Sequence, residues 1–410
     1  MGPRYEFWAK TVADGKPGIS VRDHCLNVGC VAEALFHLLP KPLRDLLPPG
    51  AATLVALHDV GKISPGFQRK CDSWRIKFER EEWTAAWGQG ERNHAAVSHA
   101  ILGHWLDKDR AGYAIAAGGH HGFFVHNELL PFIGEPGRPL PAELDDPMFT
   151  PHRAKLRAQL AEIFGHDLPT SLLTRKNEAL IVFLTGFMTF ADWLGSNEDF
   201  FKLNEATYAV PLSMAAATRL ARERAAEVTD WLRWGRTAIT ARREFDQLFP
   251  FPLNGIQEAL MELAARPGLF IVEAPMGSGK TEAALAAAYR RWTAADGERG
   301  LYFALPTQLT SERIFDRLET FLARALAASD LATLVHGSAW LREKRVLEIQ
   351  PASPESGGEQ PAEYARDARL WFASSRQALL APFGAGTIDQ ALLGVLPAKH
   401  MFSSPAWGWS

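Results

Sequence analysis

The spacing of apolar residues changes near residue 245, and this change predicts a multidomain chain. Before that point, segments such as VRDHCLNVGCVAEALFHLL and EALIVFLTGFMTFADWLG place apolar residues three and four positions apart, which predicts amphipathic helices. Beyond it, the short apolar runs GLFIVEAP, GLYFALPT and LATLVHG are each followed by turn residues and a helical pattern. That alternation is typical of a parallel sheet covered by helices. The sequence therefore predicts an all-α domain followed by an α/β domain.

Composition and charge narrow the class of protein. The chain has 410 residues, enough for two or three domains, and its hydrophobic content of 47% is that of a globular protein. A net charge of −3 excludes a uniformly basic nucleic-acid binder but permits a local basic groove. No apolar run reaches the roughly 18 residues that span a bilayer, and the start MGPRYEFWAK lacks a secretory signal. We therefore expect a cytoplasmic protein without a membrane partner.

A run of arginines interleaved with tryptophans lies close to the predicted domain boundary. Such a segment can follow a phosphate backbone and stack on bases, or it can be the solvated face of a helix. The sequence leaves both interpretations open. The members of the run are Arg219, Arg222, Arg224, Trp231, Arg233, Trp234, Arg236, Arg242 and Arg243.

The stretch TLVALHDVGKIS, residues 53–64, places His58 and Asp59 side by side among apolar residues. Burying this pair costs several kcal/mol unless something compensates it. More imidazoles and one late carboxylate occur on predicted helices, and neutral imidazole with carboxylate suits Mn, Fe, Co, Ni or Zn. Taken singly, each histidine is more often a core or surface residue than a ligand, but together they predict a metal site. The further candidates are His24, His94, His120, His121 and Asp192.

The order of these residues resembles the HD phosphohydrolase superfamily. More narrowly, it is similar to the HD nuclease domain of the helicase-nuclease of type I CRISPR systems. The matching pieces cover most of residues 1–245 and are FWAK (7–10), HCLNV at His24, LHDVGK (57–62), HAAVS at His94, GGHHG (118–122) and ADWLGS (191–196).

This resemblance implies an all-α HD domain that holds two divalent metal ions, with Asp59 bridging them. One ion would be held by His24, His58, Asp59 and Asp192. The other would be held by Asp59, His94, His120 and His121.

One departure from the family concerns the third motif. The family usually has an acidic residue after the histidine, whereas Ala95 follows His94 here. This leaves His99 as an alternative ligand, although the spacing to Ser98 favours His94.

Asp59 and Lys62 are the predicted catalytic residues. Two metals about 3.5–4 Å apart can activate a water and stabilise both the attacking and the leaving oxygen of a phosphodiester. Lys62 follows Asp59 by three positions and His58 by four, so it can share their helix face. Its ammonium could then contact the scissile phosphate as a point charge. The alternative is that Lys62 only pairs with a surface carboxylate.

The stretch FIVEAPMGSGKTEAAL predicts a strand, a glycine-rich turn and a helix, as in a phosphate-binding loop. The strict motif has Gly where Ala274 stands, a difference that superfamily 2 helicases tolerate. Backbone N–H groups of the loop would surround phosphate, the lysine would reach the β- and γ-phosphates, and the threonine would ligate Mg²⁺. The predicted Mg-ATP contacts are Gly277, Ser278, Gly279, Lys280 and Thr281.

Neighbouring stretches resemble the same helicases and imply a partial RecA-like lobe. Gln257, in PLNGIQ, resembles the Q motif that reads adenine. ALPTQLTSERIF (304–315) resembles motif Ia, which implies that Thr307 and Ser311 contact single-stranded DNA. VHGSAW (335–340) and APFGAGTIDQALL (381–393) resemble the stretches that follow, and the resemblance runs to about His400.

In the family, a strand with Asp-Glu-x-His and a second RecA-like domain come next, whereas this sequence ends KHMFSSPAWGWS. We therefore expect no sustained ATP hydrolysis or translocation, and an incomplete sheet with exposed apolar side chains. The predicted limits are 1–235 for the HD domain, 236–250 for a linker, 251–400 for the partial helicase lobe and 401–410 for an atypical tail.

The resemblance implies a metal-dependent nuclease, an endo- or exonuclease that cleaves the displaced single strand of an R-loop without ATP. Its implied partner is the RNA-guided surveillance complex Cascade, which recruits the enzyme. One alternative is a nucleotide phosphohydrolase that uses the same site, although such an enzyme needs no helicase lobe. The other is a non-catalytic short form that competes for Cascade or DNA binding.

Overall fold

The computed structural model describes residues 7–78, 93–121, 140, 144–232, 234, 243–293, 300–326, 332–335, 372 and 377–393. These residues belong to two compact units, Met1–Thr229 and Asp230–Ser410. The predicted tail at 401–410 lies outside the described residues.

The first unit is largely helical but opens with a small antiparallel sheet of two strands, β1 (Trp8–Thr11) and β2 (Pro17–Ser20). The helical pattern of the sequence does not predict this hairpin. The α-helices described in the first unit are α1 (Val21–Leu38), α2 (Lys41–Arg44), α3 (Ala51–Ala56), α4 (Pro65–Gln68), α5 (Asp72–Phe78), α6 (His94–Trp105), α7 (Ala111–Gly118), α8 (Thr150–Phe164), α9 (Glu178–Gly195), α10 (Glu205–Ala209) and α11 (Met214–Trp231). Two 3₁₀ helices, Leu57–Lys62 and Lys108–Arg110, join them.

Helix α1 is the organising element of this unit. Ser20 caps it, since its side chain accepts a hydrogen bond from the backbone N–H of Asp23. The buried apolar face of α1 packs against α3, α9 and the 3₁₀ helix Leu57–Lys62. The predicted three-and-four spacing therefore corresponds to a helix whose inner face lies against the candidate site.

Helix α9 is long and apolar enough to cross a membrane by length and composition, yet 67% of it is buried inside the protein. The sequence interpretation found no run of this length because polar residues such as Glu178 and Asp192 interrupt the apolar ones. Its buried Phe183, Leu184 and Met188 pack as in a core helix of a folded domain.

The second unit contains a parallel three-stranded sheet with the order β3-β5-β4. The strands are β3 (Leu301–Leu305), β4 (Ala332–Val335) and β5 (Phe383–Thr387). The α-helices are α12 (Phe245–Leu248), α13 (Gly255–Leu263), α14 (Lys280–Trp292), α15 (Gln308–Leu326) and α16 (Ile388–Leu393). The predicted fold class, an α-helical domain followed by a partial α/β domain, is confirmed.

The run GLFIVEAP departs from the prediction, because residues 267–275 form no strand. A strand needs a hydrogen-bonded neighbour, and within the described residues none pairs with this stretch. Leu269 is consequently 90% exposed and Ile271 is 81% exposed. Apolar side chains are thus exposed in this lobe, as expected for an incomplete sheet.

The core of the second unit is built from α12, α14, α15 and the sheet. Phe249 stacks on Phe321 with ring centroids 5.5 Å apart, and Trp292 meets the ring of Phe383 edge-on. Phe245 and Leu248, which lie in the predicted linker, are buried in this core. The linker residues 236–242 lie outside the described part of the chain, and the domain limits stay a prediction.

Candidate metal centre

The structure brings together all the residues that the sequence singled out as metal ligands. Their ligand atoms form two groups, and within each group they lie within 4.8 Å of one another. The groups have the same members as the two ligand sets that the resemblance implies. The first is His24, His58, Asp59 and Asp192, and the second is Asp59, His94, His120 and His121.

Asp59 joins the two groups because each of its carboxylate oxygens faces one of them. Oδ2 lies 2.9 Å from Nε2 of His24 and 3.4 Å from Nε2 of His58. Oδ1 lies 3.2 Å from Nε2 of His94 and 3.4 Å from Nε2 of His120. This is the orientation that a carboxylate bridging two cations requires.

Asp192 completes the first group from helix α9. Its Oδ1 lies 3.4 Å from Nε2 of His24 and 3.5 Å from Nε2 of His58. The hydroxyl of Ser196, the residue that caps the C-terminus of this helix, donates to that oxygen over 2.9 Å. The second group is closed by His121, whose Nε2 lies 2.8 Å from Nε2 of His94.

Backbone carbonyls orient two of the imidazoles. Nδ1 of His58 donates to the carbonyl of Val55 over 2.9 Å, and Nδ1 of His120 donates to the carbonyl of Ala117 over 2.5 Å. In the neutral ring these contacts place the proton on Nδ1 and the lone pair on Nε2, and Nε2 points into the cluster in both rings.

The buried atoms of the cluster test whether these residues fit a metal. Within the described residues, Nε2 of His58, Oδ1 of Asp59 and Nε2 of His120 are buried without a hydrogen bond. Leaving such atoms without a partner is costly. A divalent transition metal accepts these imidazole and carboxylate lone pairs, so the donor set fits the predicted group of ions.

Lys62 pairs with Asp59 and not with a surface carboxylate. Residues 57–62 form a 3₁₀ segment with a kink at Asp59, whose dihedrals of φ −105° and ψ 17° are non-helical. Nζ of Lys62 lies 2.6 Å from Oδ2 of Asp59, and the lysine is only 6% exposed. The interpretation of Lys62 as a merely superficial ion pair does not match this position.

The electrostatics of the cluster follow from burial and charge. Burial raises the pKa of Asp59, but Lys62 and His58 together hold that pKa well below its usual value. Burial also lowers the pKa of His58, yet the carboxylates of Asp59 and Asp192 outweigh it and raise the pKa to about 10. The pKa of His24 falls to about 4, chiefly because of burial and then because of Lys62.

Gly61 allows the 3₁₀ helix to lie against the start of α6. A Cβ at this position would overlap the carbonyl oxygen of His94 and the backbone nitrogen of Ser98. The N–H of Gly61 instead donates to the hydroxyl of Ser98 over 2.9 Å. This contact brings the His58-Asp59 pair close to His94.

His99, the alternative to His94, lies outside both ligand groups. It is 1% exposed and packs against Gly118. Neither ring nitrogen forms a hydrogen bond within the described residues. The geometry thus places His94 in a candidate ligand group and His99 in the core.

The phosphate-binding loop of the second unit has the predicted turn and helix. Gly277 and Gly279 both have a φ of 80°, a left-handed conformation that favours glycine, and α14 begins at Lys280. Nζ of Lys280 donates to the carbonyls of Ala274 (2.5 Å) and Pro275 (2.8 Å). Lys280 is therefore held by the loop itself. Ser278 and Thr281 are half-buried beside it.

Gln257 contacts the loop and is 1% exposed, which differs from the implied role of an adenine reader. Its Oε1 accepts the N–H of Asn254 over 3.0 Å, and its Nε2 donates to the carbonyl of Gly279 over 3.4 Å. Nδ2 of Asn254 donates to the carbonyl of Ser278 over 3.1 Å. The side-chain amides of Asn254 and Gln257 thus brace the loop, and the amide of Gln257 is not presented to a base.

The two residues of the motif Ia stretch differ in accessibility. Ser311 is buried, and its hydroxyl donates to the carbonyl of Thr307 over 2.9 Å, so it is not available to DNA. Thr307 is exposed, with its hydroxyl 2.9 Å from that of Thr310. The expected DNA contact therefore suits Thr307 but not Ser311.

The arginine-rich segment is described in part. Arg222 pairs with Glu33 at 3.0 Å, and Arg224 pairs with Glu227 at 2.6 Å. These two arginines have the geometry of a solvated helix face. Arg233, Arg236 and Arg242 lie outside the described residues.

Comparison with known proteins agrees with this site. Residues 8–201 match the family model described as "Cas3, HD domain". The CRISPR-associated endonuclease/helicase Cas3 of Thermus thermophilus is 35% identical, over 98% of this chain and 45% of the relative. The CRISPR-associated nuclease/helicase Cas3 of Streptococcus thermophilus is 28% identical, over 86% of this chain and 40% of the relative.

A solved structure gives the same result for the fold. The crystal structure of T. fusca Cas3-AMPPNP superposes with a TM-score of 0.73 at 27% identity, covering 98% of this chain and 45% of the T. fusca chain. The chain spans about half the length of the curated relatives it matches. The resemblance seen in the sequence is therefore confirmed: the chain is similar to the Cas3 helicase-nucleases of CRISPR systems over almost all of its length, and residues 8–201 match their HD domain.

Proposed function

We propose that the first unit is a metal-dependent nuclease that cleaves single-stranded DNA. One observation carries this proposal: the two oxygens of Asp59 face two separate groups of ligand atoms. A site for one structural ion needs no such bridge. Two adjacent cations are the arrangement that supports phosphodiester hydrolysis.

The ligands are proposed as the two groups that meet at Asp59, and their imidazole and carboxylate atoms suit Mn, Fe, Co, Ni or Zn. When bound, two such ions would activate a water and stabilise the oxygens of the scissile phosphodiester. The chain itself fixes the geometry, because the carbonyls of Val55 and Ala117 hold His58 and His120 in the required tautomer. Burial of His24 and His58 keeps bulk water away from that side of the cluster.

Lys62 is proposed as the cationic contact to the substrate. Its ammonium lies beside Oδ2 of Asp59, so a phosphate bound over the bridge would be within its reach. A lysine there stabilises charge on phosphate oxygens as a compact point charge. We therefore propose for Asp59 and Lys62 the catalytic roles that the sequence suggests.

The partner and the biological substrate are proposed from the relatives. Both curated relatives are named as CRISPR-associated proteins with nuclease and helicase activities. We infer that Cascade recruits this chain and that the substrate is the displaced strand of an R-loop. Exposed Thr307 is the residue of the motif Ia stretch that is proposed to contact DNA.

The phosphate-binding loop is proposed to bind Mg-ATP, since the related T. fusca protein carries AMPPNP in its crystal structure. Gly277, Ser278 and Gly279 would surround phosphate, Lys280 would leave its loop carbonyls for the phosphates, and Thr281 would ligate Mg²⁺. Both ligand groups belong to the first unit, whereas the loop belongs to the second. We therefore propose that the nuclease activity of the first unit is independent of ATP and of translocation.

The test is cleavage of circular single-stranded DNA by the purified chain with Mn²⁺, Ni²⁺ or Co²⁺ and without ATP. We expect linear and shorter products from the unchanged chain and none from Asp59→Ala. Absence of cleavage, or equal cleavage by Asp59→Ala, contradicts the nuclease proposal. Binding of Cascade or DNA without cleavage would support the competing non-catalytic form instead.

A further inference from the structure

A buried glutamine fastens strand β1 to the turn that carries Lys62. Gln68 is 0% exposed, and its Nε2 donates to the carbonyls of Trp8 (2.9 Å) and Lys62 (2.8 Å). Its Oε1 accepts the N–H of Trp8 over 3.1 Å, and its own carbonyl accepts Nε1–H of Trp8 over 3.0 Å. Both donors of the amide and its acceptor are thus used between two segments of the chain.

An aromatic stack extends this connection to the metal centre. The ring of Trp8 stacks on Phe67 with centroids 4.6 Å apart. Phe67 in turn lies 5.2 Å from the ring of His94 and 5.4 Å from Nζ of Lys62. Strand β1 is therefore part of the wall of the centre.

Lys10 stands on this strand at an irregular position. The pairing of β1 with β2 shifts register on both sides of Lys10, and such bulges re-aim a side chain. The pKa of Lys10 is lowered, chiefly by burial and also by the charge of Lys62, while the carboxylates of Asp192 and Asp59 act in the opposite direction. Lys10 thus lies in the field of the two carboxylates that belong to the ligand groups.

Lys10 is half-buried, and among the described residues its ammonium forms no ion pair with a carboxylate. A cation in that position is incompletely compensated, and an anion of the substrate can compensate it. The exposed Lys16 of the same hairpin differs, because Asp14 and Glu205 pair with it at 3.1 Å and 3.2 Å.

We propose that Lys10 is a substrate-binding residue of this centre: its ammonium binds a phosphate of the DNA strand next to the phosphate at Lys62, and Gln68 positions both lysines. The inference rests on the proposed nuclease function and deepens it. Lys10 and Lys62 lie on two segments that Gln68 holds together. Two cations fixed in this way would set the direction in which a DNA strand crosses the centre.

The first experiment measures DNA binding without catalysis. Binding of a fluorescent oligothymidine to the metal-free full chain is measured by anisotropy at several NaCl concentrations. Loss of one phosphate contact lowers the slope of log K against log[NaCl] by about 0.7 for a single strand. For Lys10→Ala we expect this lower slope together with about tenfold weaker binding. Lys10→Arg should have the slope and the affinity of the unchanged chain.

The control is Lys108→Ala, which removes an exposed lysine at the far end of α7 from His120 and should change neither value. Unchanged affinity and slope in Lys10→Ala would overturn the inference. Gln68→Met keeps the volume but removes the amide, so it should weaken binding at least as much as Lys10→Ala. Binding by Gln68→Met equal to that of the unchanged chain contradicts its positioning role.

The second experiment separates substrate binding from metal binding. Stabilisation by Mn²⁺ is followed as a shift in the melting temperature, and Lys10→Ala should keep the full shift while KM for DNA rises about tenfold. Loss of the shift would place Lys10 in the metal site and overturn the inference. If the unchanged chain cleaves no DNA, the proposed function fails; if it cleaves and Lys10→Ala keeps its KM, only the role of Lys10 fails.

Discussion

Asp59 connects everything that the centre is proposed to do, because its two oxygens serve different ligand groups. Replacing it with the isosteric asparagine removes the charge and one of the two acceptors. We expect Asp59→Asn to bind less than one ion per chain and to lose at least about a hundredfold in activity. Metal content by mass spectrometry and cleavage of single-stranded DNA measure these effects.

Asp192→Asn is the matched comparison, since Asp192 belongs to the first ligand group alone. It should keep the ion of the second group while losing activity. Equal metal content in the two variants would contradict the bridging role of Asp59.

The burial of His99 leads us to expect a pH dependence of the free energy of unfolding that is separate from metal binding. Burial, and then the charge of Arg175, lower the pKa of His99 to about 3, against an unfolded value near 6.5. Above pH 6.5 neither state carries the proton, so the stability is complete. As the pH falls below 6.5, His99 is protonated in the unfolded chain but stays neutral in the folded protein. The folded state therefore loses stability relative to the unfolded state.

We therefore expect His99→Leu to lose less stability than the unchanged chain between pH 6.5 and pH 5. The difference should be about 2 kcal/mol, one to two pH units at 1.4 kcal/mol each. Urea unfolding at both pH values measures it. His104→Gln, at an exposed histidine of the same helix, serves as control; an equal effect there would show that burial is not the cause.

At the scale of elements, the 3₁₀ helix Leu57–Lys62 shows why residue spacing alone did not predict how Lys62 contacts Asp59. The spacing suggested that Lys62 shares a face with both His58 and Asp59, as in an α-helix. The structure instead has a 3₁₀ segment with a kink at Asp59, and Nζ of Lys62 contacts the carboxylate of Asp59 directly. Which of the two turns forms depends on the fit to α6 at Gly61, a tertiary contact that local spacing does not encode.

Gly61→Ala tests that fit. The added methyl would push the 3₁₀ helix away from His94 and Ser98, and overpacking of this kind costs about 1–3 kcal/mol. We expect a lower melting temperature and weaker binding of the second ion, measured by calorimetry and metal titration. Gly255→Ala, at an open position where an added Cβ meets no atom within 4 Å and the backbone is not left-handed, controls for the loss of a glycine alone.

In the second unit, Asn254 at the start of α13 braces the phosphate-binding loop. Asn254→Ala removes both a helix cap, worth about 1 kcal/mol, and the hydrogen bond to Ser278. We expect weaker binding of a fluorescent ATP analogue together with a small loss of stability. Lys280→Ala should abolish nucleotide binding without the loss of stability, and identical behaviour of the two variants would contradict the brace.

At the scale of the whole molecule, the two proposed sites should work independently of each other in this chain. Lys280→Ala alters only the nucleotide loop of the second unit. Cleavage of single-stranded DNA by Lys280→Ala, without ATP, should equal that of the unchanged chain within about twofold. A large loss of cleavage would show that the loop contributes to the nuclease.

Periodicity was sufficient to predict the two fold classes, because amphipathic helices and buried strands leave different local patterns. It was insufficient for the β1–β2 hairpin and for the unpaired run at Leu269, since pairing depends on distant partners. The ligand residues were identified through the resemblance, whereas Gln68 was missed. Its partner Trp8 lies 60 positions away, and nothing in either local sequence marks the contact.

The pairing of Lys62 with Asp59 also has a consequence for the order of events. A cation bound at Oδ2 of Asp59 would compete with the ammonium of Lys62 for the same oxygen. A weaker hold of Asp59 on this ammonium would leave more of its charge available to a phosphate of the nucleic acid. Occupation of the centre would therefore strengthen the attraction of Lys62 for DNA.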